Sequence, residues 1–181
     1  MNYKVDPRKN WAALELRLAR ETDPIIRRNI ENTIKHSKAE ANADFDALMA
    51  TVAENAAYTS FTDGDAAANS PKGKAGVAAY YKMIVESGCH YIEHAVERIV
   101  ADRHAIATDG NFTMAYPTAI LKAMGHTVSD DAPYYLYTGR LMIVWGFDAN
   151  GLVTCEDSYA AGDGFNGIGA RPCRLEDIYR G

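Results

Sequence analysis

The sequence predicts an α+β fold, with helices gathered in the first half of the chain and a mostly antiparallel sheet in the second. Three observations carry this. Apolar residues recur at helical spacing between Trp11 and Ala41. From about Cys89 onward the pattern changes to strict alternation. Near the end, two long β-rich runs, Tyr134–Phe147 and Leu152–Tyr159, flank a turn that contains Asn150-Gly151, a strong local signal for a hairpin.

The helices come first. Asp6-Pro7 and Asp23-Pro24 each read as an N-cap followed by a first-turn proline. The first opens a helix over 7–21 with Trp11, Leu14 and Leu18 on one stripe. The second carries Ile26, Ile30, Ile34, Ser37 and Ala41 inward, with Arg27, Arg28, Lys35 and Lys38 outside. A short third helix begins at Asp44, and a first strand spans Ala57–Phe61. Residues 62–74 are small and turn-rich, which predicts a surface loop. A helix bearing Val77, Tyr80, Tyr81, Ile84 and Val85 then stops at Gly88.

Strand two is expected at Cys89–Val100 and strand three at His104–Tyr116, with a break at Asp109-Gly110. A connection and the hairpin follow. Three to four helices packed on a strongly curved sheet make a cone-shaped barrel with a cavity at its mouth. The chain reads as one domain over 1–181, with a core at 24–160 and a glycine-rich tail from 161 to 181.

Composition narrows the function classes. The chain is 48% hydrophobic and 24% charged, ordinary for a globular protein. A net charge of −5 with no Lys/Arg cluster argues against a nucleic-acid partner. No apolar leader and no run of 18 apolar residues is seen, so no membrane partner is expected. Cys89, Cys155 and Cys173 are widely spaced, which fits a cytoplasmic location and neither a disulfide framework nor a zinc site. The literal G-x-G-x-x-G of Gly162–Gly167 lacks a βαβ unit around it and is rejected as a dinucleotide site. No metal and no cofactor is expected. Apolar residues on both faces of the hairpin strands point to a homodimer or higher homo-oligomer.

Candidate site residues follow from charges set in apolar surroundings. Arg140 lies inside an apolar strand, and Glu156 and Asp157 lie in the strand that follows; such charges are rarely buried unless paired or used. With an even-length turn, Arg140 shares a face with Met142, Val144 and Asp157. Glu156 then shares the other face with Leu141, Ile143 and Trp145. An odd-length turn exchanges the two acids. The expectation is an Arg140/Asp157 pair in a pocket; the competing reading is a structural ion pair. His90 and His94 alternate along strand two, about 13 Å apart, too far for one metal ion but suited to one elongated pocket. His36 precedes Glu40 by one helical turn and either reaches the cavity mouth or forms an exposed i,i+4 pair. Phe61, Tyr81, Met114, Tyr116, Tyr137 and Trp145 are assigned to the substrate-binding wall, in keeping with a hydrophobic aromatic small-molecule ligand.

From Arg27 to Ala160 the order of elements resembles the nuclear transport factor 2-like (SnoaL-like) superfamily. Residues 36–50 look like its helix and short-helix entry, and residues 151–159 like its closing strand. That resemblance implies the cone fold and leaves function open, since isomerases, cyclases, hydrolases, dehydratases and non-enzymes share it. Ala57–Phe61 is similar to the scytalone dehydratase strand ending in a substrate-activating tyrosine, and Cys89–Ile92 to the strand carrying one catalytic histidine. The second histidine of that family is missing at Thr108–Asn111, and its helical aspartate is unmatched near Glu40. The layout also resembles bacterial lyases that deformylate lignin-derived diarylpropanes. Together these imply a cofactor-independent lyase. His90 would serve as base and acid and Tyr58 as a hydrogen-bond donor. Asp157 would exchange protons, and Arg140 would stabilise anionic character. A ketosteroid-isomerase or SnoaL-like isomerase or cyclase, and a non-catalytic binding or scaffold protein, are the alternatives.

Overall fold

A computed structural model of the chain describes residues 3–61 and 70–180. Among the described residues, five α-helices pack against an antiparallel sheet, as an α+β fold. Helix α1 (Lys9–Leu18) starts two residues later than its Asp-Pro signal. Asp6 accepts from the Arg8 amide as a cap does, but the first turn is tighter, with the Lys9 and Asn10 amides bonded to the Asp6 and Pro7 carbonyls three residues back. Helix α2 (Pro24–Ala41) begins where expected, and the Asp23 carboxylate accepts from the amides of Ile25 and Ile26 at 2.9 and 3.2 Å. Helix α3 (Phe45–Ala50) is capped by Asp44, which accepts from Ala47.

The expected strand at Ala57–Phe61 is not a regular one. It is tied to the rest by single bridges, Ala57 to Lys72 and Ser60 to Ser158. Of the loop read at 62–74, residues 62–69 lie outside the described part. Helix α4 (Gly73–Glu86) follows, with Val77 and Tyr81 fully buried.

The sheet runs in the order β1 (Ile92–Ala101), β2 (Ala105–Pro117), β3 (Tyr134–Phe147), β4 (Val153–Ala161), and a short β5 (Pro172–Cys173) pairs with the start of β3. Every strand pair is antiparallel. The irregularity anticipated at Asp109-Gly110 sits on the opposite strand, where the register slips between Val96 and Arg98. Gly110 is still required there, since a Cβ at that position would lie 2.1 Å from the Ala95 carbonyl oxygen. Between β2 and β3 the chain forms α5 (Thr118–Ala123), where the sequence reading expected only a connection.

In the hairpin, Trp145 faces Glu156, Val144 faces Asp157 and Met142 faces Tyr159. This is the register an even-length turn would give, reached here by the odd-length loop 148–152 followed by a slip in register. The slip beyond Gly146 leaves Val153 opposite Phe147 and fully buried. Leu141, Ile143 and Trp145 turn toward the helices and join the main core with Ile30, Leu48, Val52 and Val77. Helix α1 lies along the edge strand β1, where Asn10 accepts from the His94 amide at 2.6 Å and Lys9 pairs with Glu93 at 2.8 Å. The tail crosses back over β3. Arg171 donates to the carbonyls of Leu136, Asn166 and Gly164, which pins the tail in place. No helix among the described residues is long and apolar enough to cross a membrane.

Candidate active site

Between the inner face of the sheet and helices α1, α2 and α4 lies a cavity of about 390 Å³, within the range of small-molecule sites. The inner face contributes Phe112, Met114 and Tyr116 from β2, Tyr137, Leu141, Ile143 and Trp145 from β3, and Glu156, Ser158 and Ala160 from β4. Alternation on each strand puts all of these on one side. Gly162, Asp163, Gly164 and Phe165 of the tail also line the cavity. Gly164 has to be glycine, because an added Cβ would lie 2.3 Å from the Tyr137 ring.

Several residues chosen from the sequence meet here. Tyr58, Tyr81, His94, Met114, Tyr116, Tyr137 and Trp145 all line the cavity. Trp145 donates its indole N–H to Thr108 Oγ1 at 3.2 Å. The Tyr58 hydroxyl is buried, and although it approaches the Tyr81 hydroxyl it completes no hydrogen bond. Burial, with the Glu156 charge nearby, pushes the Tyr58 phenol well above its ordinary proton affinity. His94 Nε2 lies 3.1 Å from the Leu141 carbonyl oxygen, which fixes the proton on that nitrogen. Burial lowers its proton affinity, so the ring is neutral.

Others are elsewhere. His36 is fully buried one layer behind the wall, with Nδ1 2.7 Å from Thr51 Oγ1 and Nε2 2.8 Å from the Tyr81 hydroxyl. It makes neither the mouth contact nor the exposed pair with Glu40. His90 does not line the cavity. Strand β1 begins only at Ile92, so His90 sits in the turn after α4, its ring tilted against Tyr91 at 4.3 Å. Phe61 is 49% exposed and stacks on Tyr159 at 4.7 Å.

The Arg140/Asp157 pair does not form. Arg140 lies on the outer face and binds Asp109 through two nitrogens at 2.8 and 2.6 Å, and Glu97 at 2.6 Å. Asp157 pairs across the hairpin with Val144, four residues along β3 from Arg140 and on the outer face as well. It accepts from the Thr59 amide at 2.8 Å. The even-turn grouping holds for Arg140, Met142, Val144, Asp157 and Tyr159 and fails for Val153, which the slip buries. It was assigned to the interior although it is the outer group. The face with three consecutive large apolar side chains is the buried one, and the acid it carries is Glu156.

Apart from Asp163, which is exposed on the tail, the cavity holds two carboxylates; sequence reasoning left one open and cast the other, Glu40, only as a helper to His36. Both line the hollow. Glu156 accepts from the Tyr81 hydroxyl at 2.5 Å. Glu40 has no hydrogen-bond or ion-pair partner among the described residues. Burial, and then the charge of Glu156, raises its proton affinity to about 8. At neutral pH Glu40 is thus a carboxylic acid and a proton donor. No Lys or Arg among the described residues lines the cavity, and no cluster of described residues could hold a metal ion.

A curved sheet closed by helices over an apolar hollow with a few convergent polar groups defines a small-molecule-binding protein of the cone-barrel class. A family profile, the SnoaL-like domain, matches residues 34–155, about two-thirds of the chain. The chain belongs to this family, within the nuclear transport factor 2-like superfamily. Solved structures agree on the fold. A putative SnoaL-like polyketide cyclase from Shewanella denitrificans is similar with a TM-score of 0.59 and 14% identity, over 77% of this chain and 92% of the other. An epoxide hydrolase from Mycobacterium tuberculosis, of the type its description calls LEH-like, aligns with a TM-score of 0.57 and 18% identity, covering 80% and 92%. TerC, co-crystallised with polyporic acid, aligns with a TM-score of 0.57 and 10% identity, covering 79% and 98%. No curated protein matches the sequence.

Proposed function

We propose that this chain is a cofactor-independent lyase acting on a phenolic or aromatic small molecule, with Glu156 as the base and Glu40 as the acid. One observation carries the reading: two carboxylates face the same aromatic-walled cavity, and one of them is held protonated at neutral pH. An elimination or retro-aldol-type cleavage needs that combination. On a diaryl-1,3-propanediol, Glu156 removes the terminal hydroxyl proton. The carbon–carbon bond then breaks, releasing formaldehyde. The freed electron pair forms the alkene between the two rings, and the other hydroxyl leaves as water with the proton of Glu40. Simple dehydration uses the same two groups. The unpartnered Tyr58 hydroxyl donates to a substrate oxygen, and the rings of Tyr116, Tyr137 and Phe112 hold the aromatic part.

These roles replace His90, Asp157 and Arg140, which stand outside the cavity. Incubating the protein with a panel of lignin-type diaryl diols, and following formaldehyde and the stilbene chromophore, tests the reading. Glu156→Gln and Glu40→Gln should each lower turnover at least a hundredfold. Losses within about threefold, under ~1 kcal/mol of barrier, would remove the assignment.

A SnoaL-like isomerase or cyclase is the second reading, favoured by Glu156 being, of the two inner cavity carboxylates, the one fixed by a hydrogen bond. There it alone would shuttle a proton between two carbons. Turnover of steroid enones or anthracycline-like precursors, with Glu40→Gln active, would select it. The reading also includes a homo-oligomer joined through the outer face of the sheet, where Val100, Met142 and Tyr159 are exposed, and a cytoplasmic setting. Sedimentation velocity checks the former.

A further inference from the structure

Behind the cavity wall four side chains form an unbroken chain whose protons can be counted. Thr51 donates its single hydroxyl proton to the Leu48 carbonyl at 2.6 Å. The 2.7 Å contact between Thr51 Oγ1 and His36 Nδ1 must therefore be donated by the ring. At the other end, Tyr81 donates its only proton to Glu156 Oε2. The 2.8 Å contact between His36 Nε2 and the Tyr81 oxygen is then left with two acceptors unless Nε2 also carries a proton.

We propose that His36 is a buried imidazolium, held by Thr51 on one side and joined through Tyr81 to Glu156 on the other. It acts as a positioning residue that keeps the cavity carboxylate ionised. This deepens the acid–base reading above and rests on Glu156 being the base.

Charge balance supports the assignment. His36 Nε2 lies 3.6 Å from Glu156 Oε2, close enough for an opposite charge to favour ionisation. The groups that feel the Glu156 charge are Glu40 on α2, Tyr58 before α4, Tyr80 and Tyr81 on α4, His94 on β1 and its own neighbour Cys155 on β4. None of these is a cation at neutral pH. Trp145 closes the remaining side of His36, edge-on at 5.3 Å, so water does not dilute the pairing. When Glu156 takes a proton from substrate, the imidazolium loses its counter-charge. That favours return of the proton to Glu40, left ionised by the departing water, or to solvent in the cavity, and resets the base; His36, already protonated on both nitrogens, accepts none.

The test is a long-range proton–nitrogen spectrum of the full chain at pH 7, with the His36 ring assigned by its loss in His36→Asn. Two protonated ring nitrogens are expected in the wild type, and one in Glu156→Gln. A bare ring nitrogen on His36 in the wild type would overturn the proposal, and this readout needs no substrate. On a turned-over aromatic diol, His36→Gln should move the acid limb of kcat/KM upward by about one pH unit or more. A lowered kcat with the limb unmoved would make His36 merely structural and overturn the proposal as well. An imidazolium in a protein that cleaves no aromatic diol would support the positioning role of His36 while retiring the lyase reading.

Discussion

Glu40 costs the folded chain stability that grows with pH, and Glu40→Gln should recover it. In the folded chain Glu40 keeps its proton until about pH 8, whereas in the unfolded chain it loses it near the ordinary 4.5. Between those values the folded state binds one more proton than the unfolded state, so stability falls as pH rises. The 3.5-unit difference corresponds to an upper bound of about 5 kcal/mol above pH 8, and to about 3 kcal/mol at pH 7. Below pH 4.5 both states are protonated and the penalty vanishes. Relaxation around the charged form reduces these figures, but the sign stays. Urea unfolding of the wild type and Glu40→Gln at pH 5, 6, 7 and 8 measures it. The difference in unfolding free energy should rise steadily in favour of the variant, by at least 2 kcal/mol across the series. Any fixed cost of the amide shifts all points equally and leaves the slope intact. A difference flat to within about 0.5 kcal/mol would show that Glu40 titrates normally and that the cavity does not hold a protonated acid.

Three further outcomes are expected. Arg140→Ala and Asp157→Asn should leave turnover within about threefold, because both side chains are on the outer face, while Glu156→Gln abolishes it; steady-state kinetics on one responsive substrate separates them. Gly110→Ala should lower thermal stability by several kcal/mol, since the new methyl carbon has only the Ala95 backbone to displace, with the shift in Tm as the measure. Asp23→Ala removes both the cap of α2 and the pair with Arg103 at 2.7 Å, and should cost about 1–2 kcal/mol in chemical denaturation.

The fold was legible because its signals are local. Asp23-Pro24 opens α2 by a carboxylate that bonds two free amides, and the Asn150-Gly151 turn marks the hairpin, although its register depends on a slip beyond Gly146 that counting residues does not reveal. Helix α5 was not legible, since Thr118–Ala123 is too short to show a period and is specified by packing, with Leu121 fully buried. The site was half legible. Aromatic and methionine positions on the inner face follow from alternation, so Met114, Tyr116, Tyr137 and Trp145 fell where expected. The charged residues misled because Arg140 looks isolated along its own strand, while its partners Asp109 and Glu97 arrive from two other strands. His90 misled because strand parity was carried past the point where the strand begins. A rule that looks for the acid on the more apolar face of the hairpin, rather than the acid matching a nearby base, would have chosen Glu156.

The account stands or falls on two carboxyl groups of one hollow holding different numbers of protons at neutral pH. A carbon-13 titration of the glutamate carboxyl signals, with Glu40 assigned by its loss in Glu40→Gln, reads this directly. The account predicts that Glu40 titrates near pH 8 and shifts downward in Glu156→Gln, where the neighbouring charge is gone. A Glu40 signal that titrates in the ordinary carboxylate range, and does not respond to Glu156→Gln, would contradict it.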